Sequence, residues 1–81
     1  MSITGTLEII TSADLDTAVA EATSTVDANC PVQKVTAAPL GAGLTTIRLT
    51  ARFASHAEVE AKAAEVRHAV GRWGSTDVIV R

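Results

Sequence analysis

The sequence predicts an α+β fold, one antiparallel sheet with two helices on a single face, and three observations carry it. Residues Leu44–Phe53 alternate without a fault, with Ile47, Leu49, Ala51 and Phe53 to one side and Thr46, Arg48, Thr50 and Arg52 to the other. Two other segments repeat apolar residues at helical spacing. The elements follow in the order strand, helix, strand, strand, helix, strand. Side chains along a strand repeat every second residue, so helices cover one side of this sheet and the threonine and arginine side stays bare.

The first strand spans about residues 4–10, with Leu7 and Ile9 on one side and Thr6, Glu8 and Ile10 on the other. Ser12 is placed to cap the helix that follows, and Asp14 and Asp16 sit favourably against its dipole. That helix runs over about 13–28, with Leu15, Ala18, Val19, Ala22 and Val26 on one stripe and Asn29 before Cys30-Pro31 as its stop. Thr17, Thr23 and Thr25 lower its intrinsic propensity, so packing must hold it. The second strand, about 32–38, alternates poorly and is bracketed by Pro31 and Pro39, which suits an edge. Pro39-Leu40-Gly41-Ala42-Gly43 reads as the loop of a hairpin into the third strand. Ser55-His56-Ala57-Glu58 is a capping box that opens the second helix. Val59, Ala63, Val66, Val70 and Trp73 form its apolar face, which ends near Gly71-Arg72-Trp73-Gly74. Residues 76–80 form the last strand. This is the split β-α-β pattern of the ferredoxin-like sandwich, here a β-α-β-β-α-β single domain with the first and third strands central.

Composition limits what such a fold can do. The 81 residues support one core, and an apolar share of 47% with one Phe, one Trp and no Tyr makes that core one of small side chains. Stability of about 0.1 kcal/mol per residue follows, and self-association would help. A net charge of −2 argues against a general nucleic-acid or membrane-surface binder. The single Cys30 excludes an internal disulfide and points to a reducing, cytoplasmic setting. The first residues lack a basic start and an apolar run, and no stretch approaches the roughly 20 apolar residues of a membrane span, so the chain reads as soluble and unprocessed.

Sorting charges by side turns the bland total into two opposed surfaces. Glu8, Lys34, Arg48, Arg52, Asp77 and Arg81 fall on the open sheet face and sum to +2, whereas the helices and their ends sum to −4. Ile10 and Ile79 join them as expected neighbours, among Thr6, Thr46 and Thr50. A mixed apolar, threonine and arginine surface is of the kind other proteins pack against. A solvated face in which Glu8 pairs with Arg48 or Arg52 is the plain alternative.

Candidate chemistry is thin. Glu65-Val66-Arg67-His68 has a metal-ligand spacing but stands alone, and an exposed ion pair explains it as well. His56 lies about 120° round the same helix and cannot share a ligand with His68. Gly41-Ala42-Gly43 joins two strands rather than opening a helix, which removes a phosphate-loop reading. Cys30 reads as a small buried thiol, and Trp73 as the plug at the end of the second helix. The aromatic platform of RNA-recognition modules is missing, since Phe53 faces inward, as are the paired cysteines of metal-carrying domains and the arginine loop of acylphosphatase-like enzymes. The expectation is therefore a non-enzymatic protein-interaction domain without cofactor or metal. It would be a homodimer or assembly subunit that uses Arg48, Arg52, Thr46, Thr50, Ile10, Ile79, Glu8 and Lys34. A small stand-alone inhibitor, for instance phage-encoded and blocking a host protein, is an alternative. So is a regulatory domain that binds small molecules such as amino acids at paired edges. The sequence resembles no specific family.

Overall fold

A computed structural model describes residues 2–81; Met1, the first residue of the segment read above for a signal, lies outside them. The elements are β1 (Ile3–Thr11), α1 (Leu15–Asp27), β2 (Val32–Gly41), β3 (Leu44–Phe53), α2 (His56–Gly71) and β4 (Thr76–Val80). All strand pairs are antiparallel in the order β2-β3-β1-β4, so β1 and β3 are central, as the sequence predicts. Helix α1 lies over β2 and β3, and α2 over β4 and β1. This is a ferredoxin-like sandwich with one covered and one open sheet face.

The core forms where the inward set of the sheet meets the two helix stripes. Leu7, Ile9, Ile47, Leu49, Ala51 and Phe53 from β1 and β3 are fully buried against Ala18, Ala22 and Val26 of α1 and Val59, Ala63, Val66 and Val70 of α2. Burying each larger aliphatic contributes about 1.5–3 kcal/mol. Alanine at 18, 22 and 63 lets the helices approach closely.

Several local features differ from the sequence reading, each for a physical reason. Helix α1 starts at Leu15 with Asp14, not Ser12, as its cap, the carboxylate accepting from Thr17 N; Ser12 stands three residues before the first helical residue, its N–H donating to Ser75 O at 2.9 Å and the next amide, Ala13 N, donating to Thr11 Oγ1 at 3.0 Å. Strand β2 continues through Pro39 to Gly41, and the hairpin turn is only Ala42-Gly43. Both turn residues have positive φ, 54° and 76°, the type I′ geometry whose twist matches the flanking strands. The capping box of α2 is half as expected. Ser55 Oγ accepts from Glu58 N, but the Glu58 carboxylate reaches past Ser55 to Ala54 N at 2.7 Å. Trp73 is 57% exposed and plugs nothing, because the chain leaves the helix after Gly71 and turns away. Lys62, counted among surface charges, is buried, its Nζ donating to Asn29 Oδ1 at 2.7 Å and Glu65 Oε1 at 3.3 Å. Its aliphatic stem lies in the layer while the ammonium finds partners between the helices. Among the described residues, no helix is long and apolar enough to cross a membrane.

One close approach ties the entry of α1 to that of β4. A Cβ at Gly74 would stand 2.6 Å from Ser12 Oγ and 2.7 Å from Ala13 N, whereas one at Gly71 would meet nothing within 4 Å. Gly74→Ala is expected to cost about 1–3 kcal/mol by forcing these backbones apart. Gly71→Ala is expected to be neutral or to add up to about 1 kcal/mol by restricting the unfolded chain. Urea-unfolding midpoints check the contrast; equal midpoints for the two variants would contradict it.

Candidate functional site

The open face is built in rows by strand register. Thr50 of β3 lies opposite Thr6 of β1 and Lys34 of β2; Arg48 opposite Glu8 and Thr36; Thr46 opposite Ile10 and Ala38. On the β4 side Ile79 pairs with Glu8 and Asp77 with Ile10, and Arg81 N donates to Thr6 O. Ile10 and Ile79 are therefore neighbours across the two strands, as expected, on a diagonal: Ile10 faces Asp77 and Ile79 faces Glu8.

Glu8 is the hub of the face. Its Oε2 accepts from Arg48 Nε at 3.1 Å and its Oε1 from Arg81 Nη2 at 2.9 Å. The Arg81 and Arg48 hydrogen bonds hold its carboxyl below the usual carboxylate range. The sequence anticipated a pairing with Arg48 or Arg52; Arg81 takes the second place because the outward set of β4 continues from Asp77 and Ile79 to residue 81. Arg52 and Lys34 make no ion pair among the described residues.

Lys34 reaches this face because of an irregularity in β2. Val32 pairs with Ala51, and an unbroken ladder would set residue 33 against Thr50 and Lys34 against the buried Leu49. The register shifts between Val32 and Lys34, placing Lys34 opposite Thr50 instead. A bulge re-aims a side chain from one face of a sheet to the other. Thr6, Lys34, Thr36, Arg48 and Thr50 then line a depression of about 240 Å³. A second depression of about 250 Å³, lined by Ile10, Leu44, Ser75, Thr76 and Asp77, lies at the opposite end of the sheet. The expected site residues thus divide: Lys34, Thr50, Arg48 and Arg52 gather with Glu8 at a basic end, Thr46 and Ile10 lie toward a more apolar one, and Ile79, opposite Glu8, stands between them. Thr36 escaped the sequence reading because the bulge hides the alternation of β2.

The other candidates are scattered over the helix layer. Glu65 bonds Lys62, and His68 is exposed. His56 lies 3.8 Å from Glu60 at the surface. Among the described residues, no three His, Cys, Asp or Glu side chains gather as a metal site. Cys30 is buried and its Sγ donates to Glu58 Oε1 at 3.4 Å. Burial first, then the Glu58 carboxylate, pushes the thiol up from its ordinary value. A thiol held protonated is a poor nucleophile.

No family model and no curated protein matches the chain. Among solved structures it is similar to the ACT domain from GTP pyrophosphokinase of Chlorobium tepidum, with a TM-score of 0.71 at 10% identity over 98% of this chain and 100% of that one. It is also similar to a formyltetrahydrofolate deformylase from Pseudomonas putida KT2440, with a TM-score of 0.74 at 15% identity over 98% of this chain and 28% of the deformylase. The chain therefore spans less than a third of the deformylase. These likenesses establish the fold, the four-stranded sandwich of ACT-domain neighbours.

The geometry at Glu8 sets a pH dependence. Its folded pKa lies below the ordinary 4.5, so its contribution to stability is fully present above that value and is lost as pH falls through the folded pKa. The stability difference between the wild type and Glu8→Gln is expected to shrink as the solution is acidified below 4.5. Arg81→Ala is expected to move the Glu8 titration, followed by carboxyl-carbon NMR, upward toward the ordinary value; a titration that does not move would contradict the pairing.

Proposed function

We propose that this chain is a small-molecule-binding regulatory domain and not an enzyme. The observation that carries the reading is the end-to-end likeness to an ACT domain, which covers 98% of this chain and 100% of the other. Such domains are small-molecule-binding regulatory units. The side-chain chemistry agrees. Both histidines lie on α2, on the covered side of the sheet, and the one thiol is buried and bonded to a carboxylate. The depressions on the open face are shallow and suit a ligand of few atoms, smaller than occupants of the usual 300–1,000 Å³ pocket.

A second reading, self-association into a homodimer through the open face, is favoured by the apolar end of that face. Ile79 is 36% exposed and lies diagonally from the half-buried Ile10, beside the depression at Leu44. Two copies meeting there would cover Ile10 and Ile79 and reach the edge of the Glu8 row, with which Ile79 pairs. The protein is then expected to scatter as a dimer, and Ile79→Lys as a folded monomer whose Tm no longer rises with concentration. A wild type that stays monomeric at every concentration, or an Ile79→Lys variant that stays dimeric, would remove this reading.

The regulatory reading is checked by thermal unfolding against amino acids, nucleotides and small carboxylates. A ligand at a hundred times its Kd adds about 2.7 kcal/mol. In a domain of this size that raises Tm by on the order of 10–20 °C. No shift across the panel at millimolar concentrations would remove the reading.

A further inference from the structure

The basic end of the open face concentrates charge that the rest of the chain does not explain. Lys34 lies directly across from Thr50, and the Arg81 N–H bonds Thr6 O, so both cations flank the Thr6–Thr50 pair at about one strand spacing, roughly 5 Å. Arg48 and Arg52 stand two residues to either side of Thr50 along β3, roughly 7 Å away. Four cations thus surround two threonines, and Glu8 is the one acid among them. These five charges sum to +3 in a chain whose total is −2. Like charges gathered on one patch repel, and Glu8 satisfies only part of two of them. Arg48 uses Nε and Arg81 one Nη2, while Lys34 and Arg52 have no acidic partner among the described residues.

The floor of the patch is suited to an anion. Thr6 Oγ1 and Thr50 Oγ1 lie 3.2 Å apart, so one hydroxyl donates to the other and a hydroxyl proton remains to point out of the sheet. Thr36 adds a third hydroxyl to the same depression. The bulge that turns Lys34 from the helix side to this side is a separate observation toward the same end, since without it the depression would lose its unpaired cation.

We propose that this depression binds a small, multiply charged oxyanion, the phosphate or polycarboxylate group of a metabolite, held by Lys34 and Arg52 over the Thr6–Thr50 floor with Arg48 and Arg81 supporting. The proposal rests on the regulatory reading and names the ligand class and the place. Guanidinium groups match such oxygens through paired N–H donors, and Lys34 serves as a mobile point charge. The site is centred on the row of Lys34, Thr50 and Thr6, one row beyond the Glu8 row to which Ile79 belongs.

The test is a titration of ¹⁵N-labelled protein with inorganic phosphate, pyrophosphate and citrate at low ionic strength, against matched sodium chloride. Saturable shifts are expected at the amides of Thr6, Lys34, Thr50 and Arg52, with pyrophosphate and citrate stronger than phosphate and all three weakened by added salt. Lys34→Ala with Arg52→Ala is expected to weaken binding at least tenfold while Tm stays put, because neither side chain makes an ion pair among the described residues. Citrate binding more tightly than pyrophosphate would assign the site to carboxylates, the reverse to phosphates, and either supports it. Unchanged affinity in the double variant, or saturable shifts confined to other residues, would overturn the site while leaving the regulatory reading in place. So would a panel in which only uncharged or zwitterionic ligands raise Tm. A single-stranded oligonucleotide binding far more tightly across the same amides would overturn the proposal in favour of a nucleic-acid surface. Absence of any binding by any small molecule would remove both readings together.

Discussion

The pairing of β1 with β3 is the constraint on which the rest of the molecule depends. Nine rungs run without a slip from Ile3 opposite Phe53 to Thr11 opposite Thr45. That register sends Leu7, Ile9, Ile47, Leu49, Ala51 and Phe53 into one layer and Thr6, Glu8, Thr50 and Arg48 onto the other face. A slip of one residue would exchange the two sets, burying Glu8 and Arg48 and exposing the centre of the core. The energy of the core therefore fixes the geometry of the open face, and the rows of that face are as rigid as the packing beneath them.

The parts of the fold that are legible in the sequence are those where one periodicity acts alone. Strand β3 alternates because its two faces meet different surroundings along its whole length. The start of α2 is legible because Ser55 and Glu58 mark it chemically. Strand β2 is obscure for two local reasons: a bulge between Val32 and Lys34 inverts its alternation, and Pro39, with no N–H to donate, stands at a second register shift before Gly41. A one-residue insertion in the ladder leaves no signature in composition. Lys62 and Trp73 mislead for a related reason, since residue type predicts an exposed ammonium and a buried indole, and long side chains answer to neighbours instead. Lys62 is buried because Asn29 and Glu65 meet its Nζ.

The candidate site was legible by face but not by position along it. Alternation assigned Arg48, Arg52, Thr46, Thr50, Ile10 and Ile79 correctly to the open side, and the face total of +2 concealed how unevenly the charge is spread. Register resolves it: Asp77 falls at the apolar end beside Ile10, and four cations fall around Thr6 and Thr50. Net charge describes solubility; the arrangement of charge across strands describes recognition.

A thin core gives this arrangement leverage. A domain of this length has a stability on the order of 4–12 kcal/mol, so a ligand that adds a few kcal/mol changes its folded population and local opening by a large factor. Lys34 and the Thr6–Thr50 pair span β2, β3 and β1, and Arg81 extends the same row to the β4 side. An anion held there links all four strands across the face that the chain leaves uncovered. It would hold both edge strands to the central pair and relieve the mutual repulsion of the cations. The two edges are also where a sheet meets another chain. Occupancy of the depression and the readiness of the edges to pair would thus be coupled through the same row of residues.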